Sequence, residues 1–152
     1  KMAMTCLMTL RGIPQVYYGT EVLLDNSQHP GDHGYIRADM PGGWNTDKVN
    51  AFETNSLNED QVNMQTYMKK LLNWRKGSKA VTSGKTLHFA PFNDIYLYFR
   101  YVDGEKVMVI MNRNEKTATI DPNKQKIIKD AKAPLYFAPF KASNTTWSTE
   151  LA

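Results

Sequence analysis

The spacing of apolar positions along the chain predicts where helices and strands lie. Residues 1–10 are apolar on nearly every side, which is typical of the end of a helix buried in a larger body. Gly12 and Pro14 predict where this helix stops, because glycine accepts a left-handed cap and proline disfavours a helical position. The β-branched and aromatic run IPQVYYG at 13–19 then predicts a short strand. A helix followed at once by a strand is typical of a repeating α/β unit.

A long segment without clear periodicity, 20–58, follows the predicted strand. Within it, only NTDKVNAFE at 45–53 has a composition that is compatible with a short helix. Connections in α/β units usually have about 2 to 6 residues, and ligands of such folds bind beyond the carboxyl ends of the strands. We therefore expect this segment to carry ligand contacts.

An amphipathic helix is predicted for residues 59–76. Ser56 and Glu59 have the spacing of a capping box at its start, and Gly77 marks its end. Its apolar positions follow the i, i+3, i+4, i+7 spacing of one helix face, which we interpret as core packing rather than cofactor contact. They are Met64, Tyr67, Met68, Leu71 and Leu72.

Beyond a predicted boundary at 78–84 the apolar period changes to two, which is typical of strands. Asp103-Gly104 between two of these strands is a strong signal for a tight hairpin. Short strands at this spacing predict a small antiparallel sheet or sandwich. We expect a first domain at 1–80 and a second at 81–152, with predicted strands KTLHF, DIYLYFRY, EKVMVIMN, KTATID (116–121) and APLYFAPF (133–140).

Length and composition indicate an ordinary globular protein. The 152 residues are 41% hydrophobic and 22% charged, which suits one domain or two small ones and excludes a disordered chain. No apolar run approaches the roughly 18 residues of a membrane helix, and the first residues do not resemble a secretory signal. Because the sequence begins inside an apolar helical pattern without a cap, we expect it to be part of a longer chain. Cys6 is the only cysteine and is interpreted as a structural thiol.

The net charge of +4 is unevenly distributed. Residues 1–60 carry four Lys/Arg and eight Asp/Glu, whereas residues 61–152 carry fifteen and seven. A basic half with clustered aromatic residues could indicate a nucleic-acid surface. The basic residues are scattered, however, and no RNA-recognition signature or zinc-finger spacing is present. We therefore expect a solvated basic face and neither a nucleic-acid nor a membrane partner.

The segment DHGYIRADMPGGW at 32–44 holds the candidate binding residues. A guanidinium such as that of Arg37 offers a fixed fork of donors that suits vicinal hydroxyls or a carboxylate. The rings of Tyr35 and Trp44 suit the apolar faces of pyranose sugars. Two alternatives stay open at this point: Arg37 could form a salt bridge with Asp39 in the loop, and Trp44 could be a plug that packs beneath it.

Two other constellations in the long segment 20–58 are weaker. His29 and His33 have an H-x-x-x-H spacing that binds zinc on a helix, but the proline and glycine between them exclude a helix, and we expect no metal. Pairs of carboxylates within one loop cannot be held at a fixed distance without the rest of a scaffold, so we expect no local catalytic pair.

Three stretches carry a resemblance to a known family. RGIPQVYYGTE at 11–21 resembles the eighth-strand motif of the α-amylase family of glycoside hydrolases. HGYIRADMPGGW at 33–44 and LLNWRKGSKAVTSGKTLHFAP at 71–91 resemble the neopullulanase and cyclomaltodextrinase branch. The resemblance extends from the first residues to about residue 113.

The resemblance implies a fold that is α/β plus all-β. The chain would hold the last strand and helix of a (β/α)8 (TIM) barrel, followed by a C-terminal antiparallel β-sandwich. The implied positions are the seventh barrel helix at 1–11, the eighth strand at 13–19, the eighth helix at 59–76 and the β-domain from residue 85.

The implied activity is hydrolysis of α-glucosidic bonds in starch, pullulan, cyclodextrin or maltodextrins. Retaining glycosidases use two carboxylates about 5 to 5.5 Å apart. In the family these follow the fourth and fifth strands, with a further aspartate at the seventh, so the catalytic residues would lie upstream and this chain alone is expected to be inactive. The competing interpretation is a non-catalytic carbohydrate-binding or interaction module.

The resemblance also bears on individual residues. In the family an arginine in this loop, often four residues after an aspartate, binds a glucose unit on the non-reducing side of the cleaved bond. Arg37 matches, but His33 stands four residues before it and Asp32 stands five before it, so Asp32 is a weaker candidate. Glu21 is expected to be structural.

The remaining implications concern partners and surroundings. No cofactor is expected in this chain, and the resemblance admits calcium in the full-length enzyme. The expected partners are an α-glucan, the rest of the barrel and, for the isolated chain, another copy of itself. A bacterial periplasm or cytoplasm is implied.

Overall fold

The computed structural model describes residues 1–115 except Asn26 and Gln28. Within the described residues no helix is long and apolar enough to cross a membrane. The described residues form two compact units: the first is made of residues 1, 3–8 and 13–74, and the second of residues 2, 9–12 and 75–115. The helices and strands are α1 (Met2–Thr9), α2 (Glu59–Gly77), α3 (Lys79–Ser83), β1 (Lys85–His88), β2 (Ile95–Val102) and β3 (Glu105–Asn112), with short 3-10 turns at Thr20–Val22, Tyr35–Arg37 and Thr54–Ser56.

The core of the first unit consists of the apolar stripe of α2 and the inward side of α1. The predicted helix at 59–76 is confirmed as α2, and its predicted stripe packs as expected, with one exception. Leu72 lies at the edge of the stripe and is 38% exposed. The buried core residues are Met8, Met64, Met68 and Leu71.

The capping box of α2 lies two residues later than predicted. The Asn58 side chain accepts the Gln61 N–H at 2.9 Å, and the Gln61 side chain accepts the Asn58 N–H at 3.1 Å. The predicted pair of Ser56 and Glu59 is therefore wrong. The physical reason is that the Ser56 hydroxyl accepts the N–H of Asn50 at 2.7 Å, so the local loop already uses this oxygen.

Residues 13–19 do not form the predicted strand. A strand requires backbone hydrogen bonds to a neighbouring strand, and the strand pairs found in the described residues join only β1, β2 and β3, apart from a bridge at Phe92 and Ile95. Ile13 is 98% exposed as a result. The suggested short helix at 45–53 is also absent, since turns occupy this stretch.

The second unit contains a three-stranded antiparallel sheet in the order β1-β2-β3. The first three predicted strands are confirmed to within one residue at each end, and their registers pair Lys85 with Tyr101 and Val102 with Glu105. The sheet fits the expected β-sandwich. The predicted strands at 116–121 and 133–140 lie outside the described residues.

Two tight turns connect these strands. Asp103-Gly104 forms the predicted two-residue hairpin turn, with Gly104 at φ 84°. The other turn was not predicted: Asn93 and Asp94 have φ of 49° and 59°, the combination of a type I′ turn. Asparagine and aspartate tolerate this left-handed conformation better than other side chains.

Helix α3 was also not predicted, and it lies over a buried arginine. Arg100 of β2 is 2% exposed. Its guanidinium donates to the Val81 and Gly84 carbonyls at 2.9 Å each, to the Ala80 carbonyl at 3.3 Å and to the Thr86 hydroxyl at 2.7 Å. Burial lowers the pKa of Arg100, and other charges including that of Arg75 contribute. The hydrogen bonds explain how an arginine is tolerated inside this unit.

Candidate functional site

A single 3-10 turn presents Tyr35 and Arg37. Asp32 begins it: its carboxylate accepts the Gly34 N–H at 2.8 Å. The Arg37 N–H then donates to the Gly34 carbonyl at 2.9 Å. Aspartate commonly bonds to a backbone N–H two residues later and so defines a turn. Asp32 therefore shapes the turn on which two of the other candidate residues stand.

The ring of Tyr35 is stacked on that of His29. The ring centroids lie 3.7 Å apart with 15° between the planes. Tyr35 remains 46% exposed, so part of its surface is open to solvent. Among the described residues no group of three His, Cys, Asp or Glu side chains is placed to hold a metal ion.

Arg37 has no carboxylate partner in the described part of the chain. Its guanidinium makes one long hydrogen bond, 3.5 Å to the His33 carbonyl. The ion pair found in the described residues joins Arg113 and Asp94 at 2.6 Å, far along the sequence. The alternative of a salt bridge between Arg37 and Asp39 is therefore not observed.

Trp44 is fixed at both its backbone and its indole. The indole N–H donates to the Asp39 carboxylate at 2.9 Å, and the backbone N–H donates to the Asp47 carboxylate at 3.1 Å. The same Asp47 oxygen accepts the Gly42 N–H at 2.7 Å. Trp44 is nevertheless 64% exposed. This exposure argues against a plug beneath the loop.

The loop that carries Trp44 is closed at its base. The Ala51 N–H donates to the Pro41 carbonyl at 2.9 Å, and Ala51 is 1% exposed. Gly42 adopts φ +96°, and a Cβ there would lie 2.2 Å from the Asn50 side-chain oxygen. Only glycine combines this backbone conformation with such a close approach.

Helix α2 holds the irregular segment at two points. The Gln61 amide donates to the Val22 carbonyl at 3.0 Å, and the Gln65 amide donates to the Ala51 carbonyl at 2.9 Å. These glutamines stand four residues apart and therefore lie on one face of the helix. The helix thus serves as the scaffold of the loop.

Tyr18 lies beside the charged pair of the loop. Its hydroxyl donates to the Ala38 carbonyl at 3.0 Å. The pKa of the Tyr18 hydroxyl is raised, first by its interaction with Tyr17, with a further increase from the negative charge of Asp39 and an opposing decrease from Arg37. Both charges therefore lie close enough to act on the same hydroxyl.

Three residues that hold the loop of the candidates in place were not predicted from the sequence: Asp47, Gln61 and Gln65. Asp47 had a readable signal, because an aspartate beside a glycine-rich turn often accepts backbone N–H groups. Gln61 could be recognised from its spacing to Asn58 as a capping-box residue, but nothing local indicated its bond to the Val22 carbonyl. Gln65 had no local signal, since nothing in the sequence distinguishes an anchoring glutamine from a solvated one.

Comparisons with known proteins agree with this architecture. The cyclo-malto-dextrinase C-terminal domain family matches residues 86–133, which include most of the three-stranded sheet. The chain is 30% identical over 116 residues to a cyclomaltodextrin glucanotransferase of Thermoanaerobacterium thermosulfurigenes, a match that covers 76% of this chain and 14% of the relative. It is 31% identical over 115 residues to a protein of the same name from Bacillus sp. (strain 6.6.3), covering 76% of this chain and 13% of the relative.

A relative with another name gives a similar match. An α-amylase of Niallia circulans is 26% identical over 112 residues, with 74% of this chain and 18% of the relative covered. The chain thus spans only a small part of the relatives it matches. The chain corresponds to a C-terminal part of an α-amylase-family enzyme.

Proposed function

We propose that this chain is the C-terminal part of an α-glucan hydrolase of the neopullulanase and cyclomaltodextrinase branch. The substrates are starch, pullulan, cyclodextrin or maltodextrins, cleaved by a retaining two-carboxylate mechanism. The catalytic carboxylates lie in the preceding part of the enzyme. The family match at 86–133 supports the cyclomaltodextrinase branch, and the names of the relatives support an α-amylase-family enzyme.

In the full-length enzyme, residues 13–19 and 59–76 are the last strand and helix of the catalytic barrel. Ile13 is 98% exposed, and residues 13–19 pair with no strand of the described residues. Both observations support this role, because a barrel strand obtains its hydrogen bonds and apolar contacts from neighbouring strands. The division into a barrel part at 1–80 and a β-domain at 81–152 belongs to the same proposal.

The loop from residue 29 to 52 forms one lip of the substrate cleft. The observation that carries this proposal is the state of Trp44, which is 64% exposed while hydrogen bonds fix both its backbone and its indole. Exposing a large apolar ring gives no folding advantage, and ordering it costs conformational entropy. A ring kept both exposed and ordered is suited to stack on a sugar face.

Each candidate residue has a stated role in this lip. Trp44 and Tyr35 provide ring faces for glucose units, and His29 supports the ring of Tyr35 from behind. Arg37 donates to sugar hydroxyls with a guanidinium that no carboxylate neutralises in the described residues. Asp32 maintains the turn and offers its second oxygen to the substrate.

The test is Arg37→Ala in the full-length enzyme. We expect kcat/KM on maltoheptaose to fall about ten- to hundredfold, which corresponds to the roughly 1.5 to 3 kcal/mol of a charged hydrogen bond. Arg113→Ala, which removes an exposed arginine of the second unit, is the matched control and should leave kcat/KM unchanged. A lower melting temperature with wild-type kcat/KM for Arg37→Ala would show instead that Arg37 only stabilises the loop.

The alternative of a carbohydrate-binding module built on the β-domain has less support. The central residues of β2 are unavailable to a ligand, since Tyr98 is 0% and Arg100 is 2% exposed. The ring of Tyr96 lies 5.2 Å from that of Tyr98, as expected for packing. Tyr98 therefore belongs to the interior of the unit, and Tyr96 packs against it.

A further inference from the structure

Asp39 lies between Arg37 and Trp44 in the sequence, and both of these residues are proposed to contact the substrate. It follows Arg37 by two residues, yet its carboxylate accepts the indole N–H of Trp44 at 2.9 Å and forms no ion pair in the described residues. We propose that Trp44 also acts through its indole N–H, which holds Asp39 away from Arg37 and so keeps the guanidinium free for substrate. This inference rests on the proposed role of the loop.

Arg37 and Asp39 carry opposite charges and lie two residues apart in the sequence. Arginine and carboxylate form short, often bidentate ion pairs when nothing prevents them. Arg37 and Asp39 are separated only by Ala38, whose carbonyl accepts a hydrogen bond from the Tyr18 hydroxyl at 3.0 Å. An Asp39 carboxylate without its present partner would thus find Arg37 as a nearby cation.

The hydrogen bonding of Arg37 agrees with a guanidinium that is kept free for substrate. Its hydrogen bond to the His33 carbonyl is 3.5 Å long and therefore weak. The remaining donors of the guanidinium have no partner within the described chain, and so they are available to hydroxyls. An ion pair with Asp39 would occupy two of these donors and neutralise the charge.

The two functions of Trp44 can be separated by substitution. Phenylalanine at this position retains an aromatic face but has no N–H. If Trp44 only stacks on sugar, Trp44→Phe should be a mild change. If Trp44 also restrains Asp39, the same variant should impair Arg37 although no atom of Arg37 has been altered.

A chemical test on the 152-residue chain needs no substrate. Phenylglyoxal modifies free guanidinium groups, and peptide mass spectrometry reports the modification of Arg37. We expect rapid modification in the unaltered chain, about fivefold slower modification in Trp44→Phe, and recovery in Trp44→Phe/Asp39→Asn, because asparagine cannot form the ion pair. Unchanged reactivity of Arg37 in Trp44→Phe overturns the inference.

Kinetics of the full-length enzyme provide the second test. We expect Trp44→Phe to lower kcat/KM on maltoheptaose about tenfold and the added Asp39→Asn to restore most of it. Asp25→Asn in the Trp44→Phe background is the matched control, since it removes the same charge from a carboxylate that accepts from Ser27 instead. It should restore nothing.

The outcomes distinguish this inference from the proposed function. A large loss in Arg37→Ala together with no recovery in Trp44→Phe/Asp39→Asn supports the substrate lip and overturns the restraint of Asp39. No loss in Arg37→Ala contradicts the proposed function itself, whatever the phenylglyoxal reactivities show.

Discussion

Ser78 donates its hydroxyl to the carboxylate of Glu105 at 2.5 Å, and the two residues together cap helix α3. The second carboxylate oxygen of Glu105 accepts the Ala80 N–H at 3.1 Å, while the Ser78 hydroxyl oxygen accepts from the Val81 N–H at 3.3 Å. The first residue of β3 therefore secures a helix that precedes the whole sheet in sequence.

This cap predicts a pH dependence of stability. The Ser78 hydrogen bond lowers the pKa of Glu105, and the Ala80 N–H lowers it further. Because the pKa is lower in the folded state, the stabilisation is fully present above the ordinary glutamate pKa of about 4.3 and is lost as pH falls through the folded-state value. We expect Glu105→Gln to cost about 0.5 to 1 kcal/mol at pH 7, as for loss of a cap.

Urea unfolding of the chain and of Glu105→Gln between pH 3 and 7 checks this expectation, and the two curves should converge at low pH. Asp103→Asn removes the same charge two residues earlier in the hairpin turn and serves as the control. Equal stability of the Glu105→Gln variant and the unaltered chain at pH 7 would contradict a stabilising cap.

Replacement of Arg100 is predicted to lower the free energy of unfolding more than Glu105→Gln does. Replacement by methionine fills much of the volume but leaves three backbone carbonyls and the Thr86 hydroxyl without their donor. Each buried unsatisfied group costs about 1 to 3 kcal/mol, so we expect a loss of about 3 kcal/mol or more in urea unfolding. Lysine should not rescue it, because an ammonium lacks the planar fork. Arg113→Met, at an exposed ion pair, should cost less than about 1 kcal/mol; similar losses at both positions would contradict the assigned role.

Gly84 is predicted to be intolerant of any side chain. A Cβ there would lie 2.2 Å from the Ala80 carbonyl oxygen and 2.6 Å from the Tyr101 carbonyl oxygen, and backbone atoms cannot easily move aside. We expect Gly84→Ala to destabilise the chain by about 2 kcal/mol. Gly77→Ala is the control: no atom lies within 4 Å of a Cβ there, and the change should be neutral or slightly stabilising. Thermal unfolding of Gly84→Ala and Gly77→Ala measures the two changes in stability and so tests this prediction.

A substitution at Gly42 tests the role of the loop in activity, whereas the substitutions above test the stability of the fold. Alanine would meet Asn50 at 2.2 Å and displace the turn that carries Trp44. We expect Gly42→Ala in the full-length enzyme to lower kcat/KM roughly tenfold, since small misplacements of binding groups are costly. Gly31→Ala separates backbone strain from close approach, because Gly31 also has positive φ, 87°, but open space around it. An equal loss of activity in both variants would refute the importance of the Asn50 contact.

The elements that could be predicted from sequence are those in which local preference and packing agree. Helix α2 has a long apolar stripe and a glycine at its end, and β2 and β3 have strict alternation around Asp103-Gly104. The strand predicted at 13–19 is absent because a strand needs a paired neighbour, and no strand pair of the described residues involves this stretch.

The contacts that escaped prediction depend on tertiary structure. An arginine is usually exposed, and only the arrangement of α3 over the sheet shows that Arg100 is buried. In the candidate site the residue types at 32, 35, 37 and 44 were readable from chemistry. The restraint of Trp44 by Asp39 and Asp47 was not readable, because the choice of Asp39 between Arg37 and Trp44 is decided by geometry.

The attachment of the loop to Gln61 and Gln65 has a consequence for protein engineering. Two residues four apart on a helix are separated by about 6 Å along its axis, so Val22 and Ala51 are brought close together at the base of the loop. The intervening stretch can therefore be regarded as a replaceable cassette with both ends on one helix. Loops of different length from related enzymes could be grafted between these two positions, and substrate preference could be altered while the supporting helix is left intact.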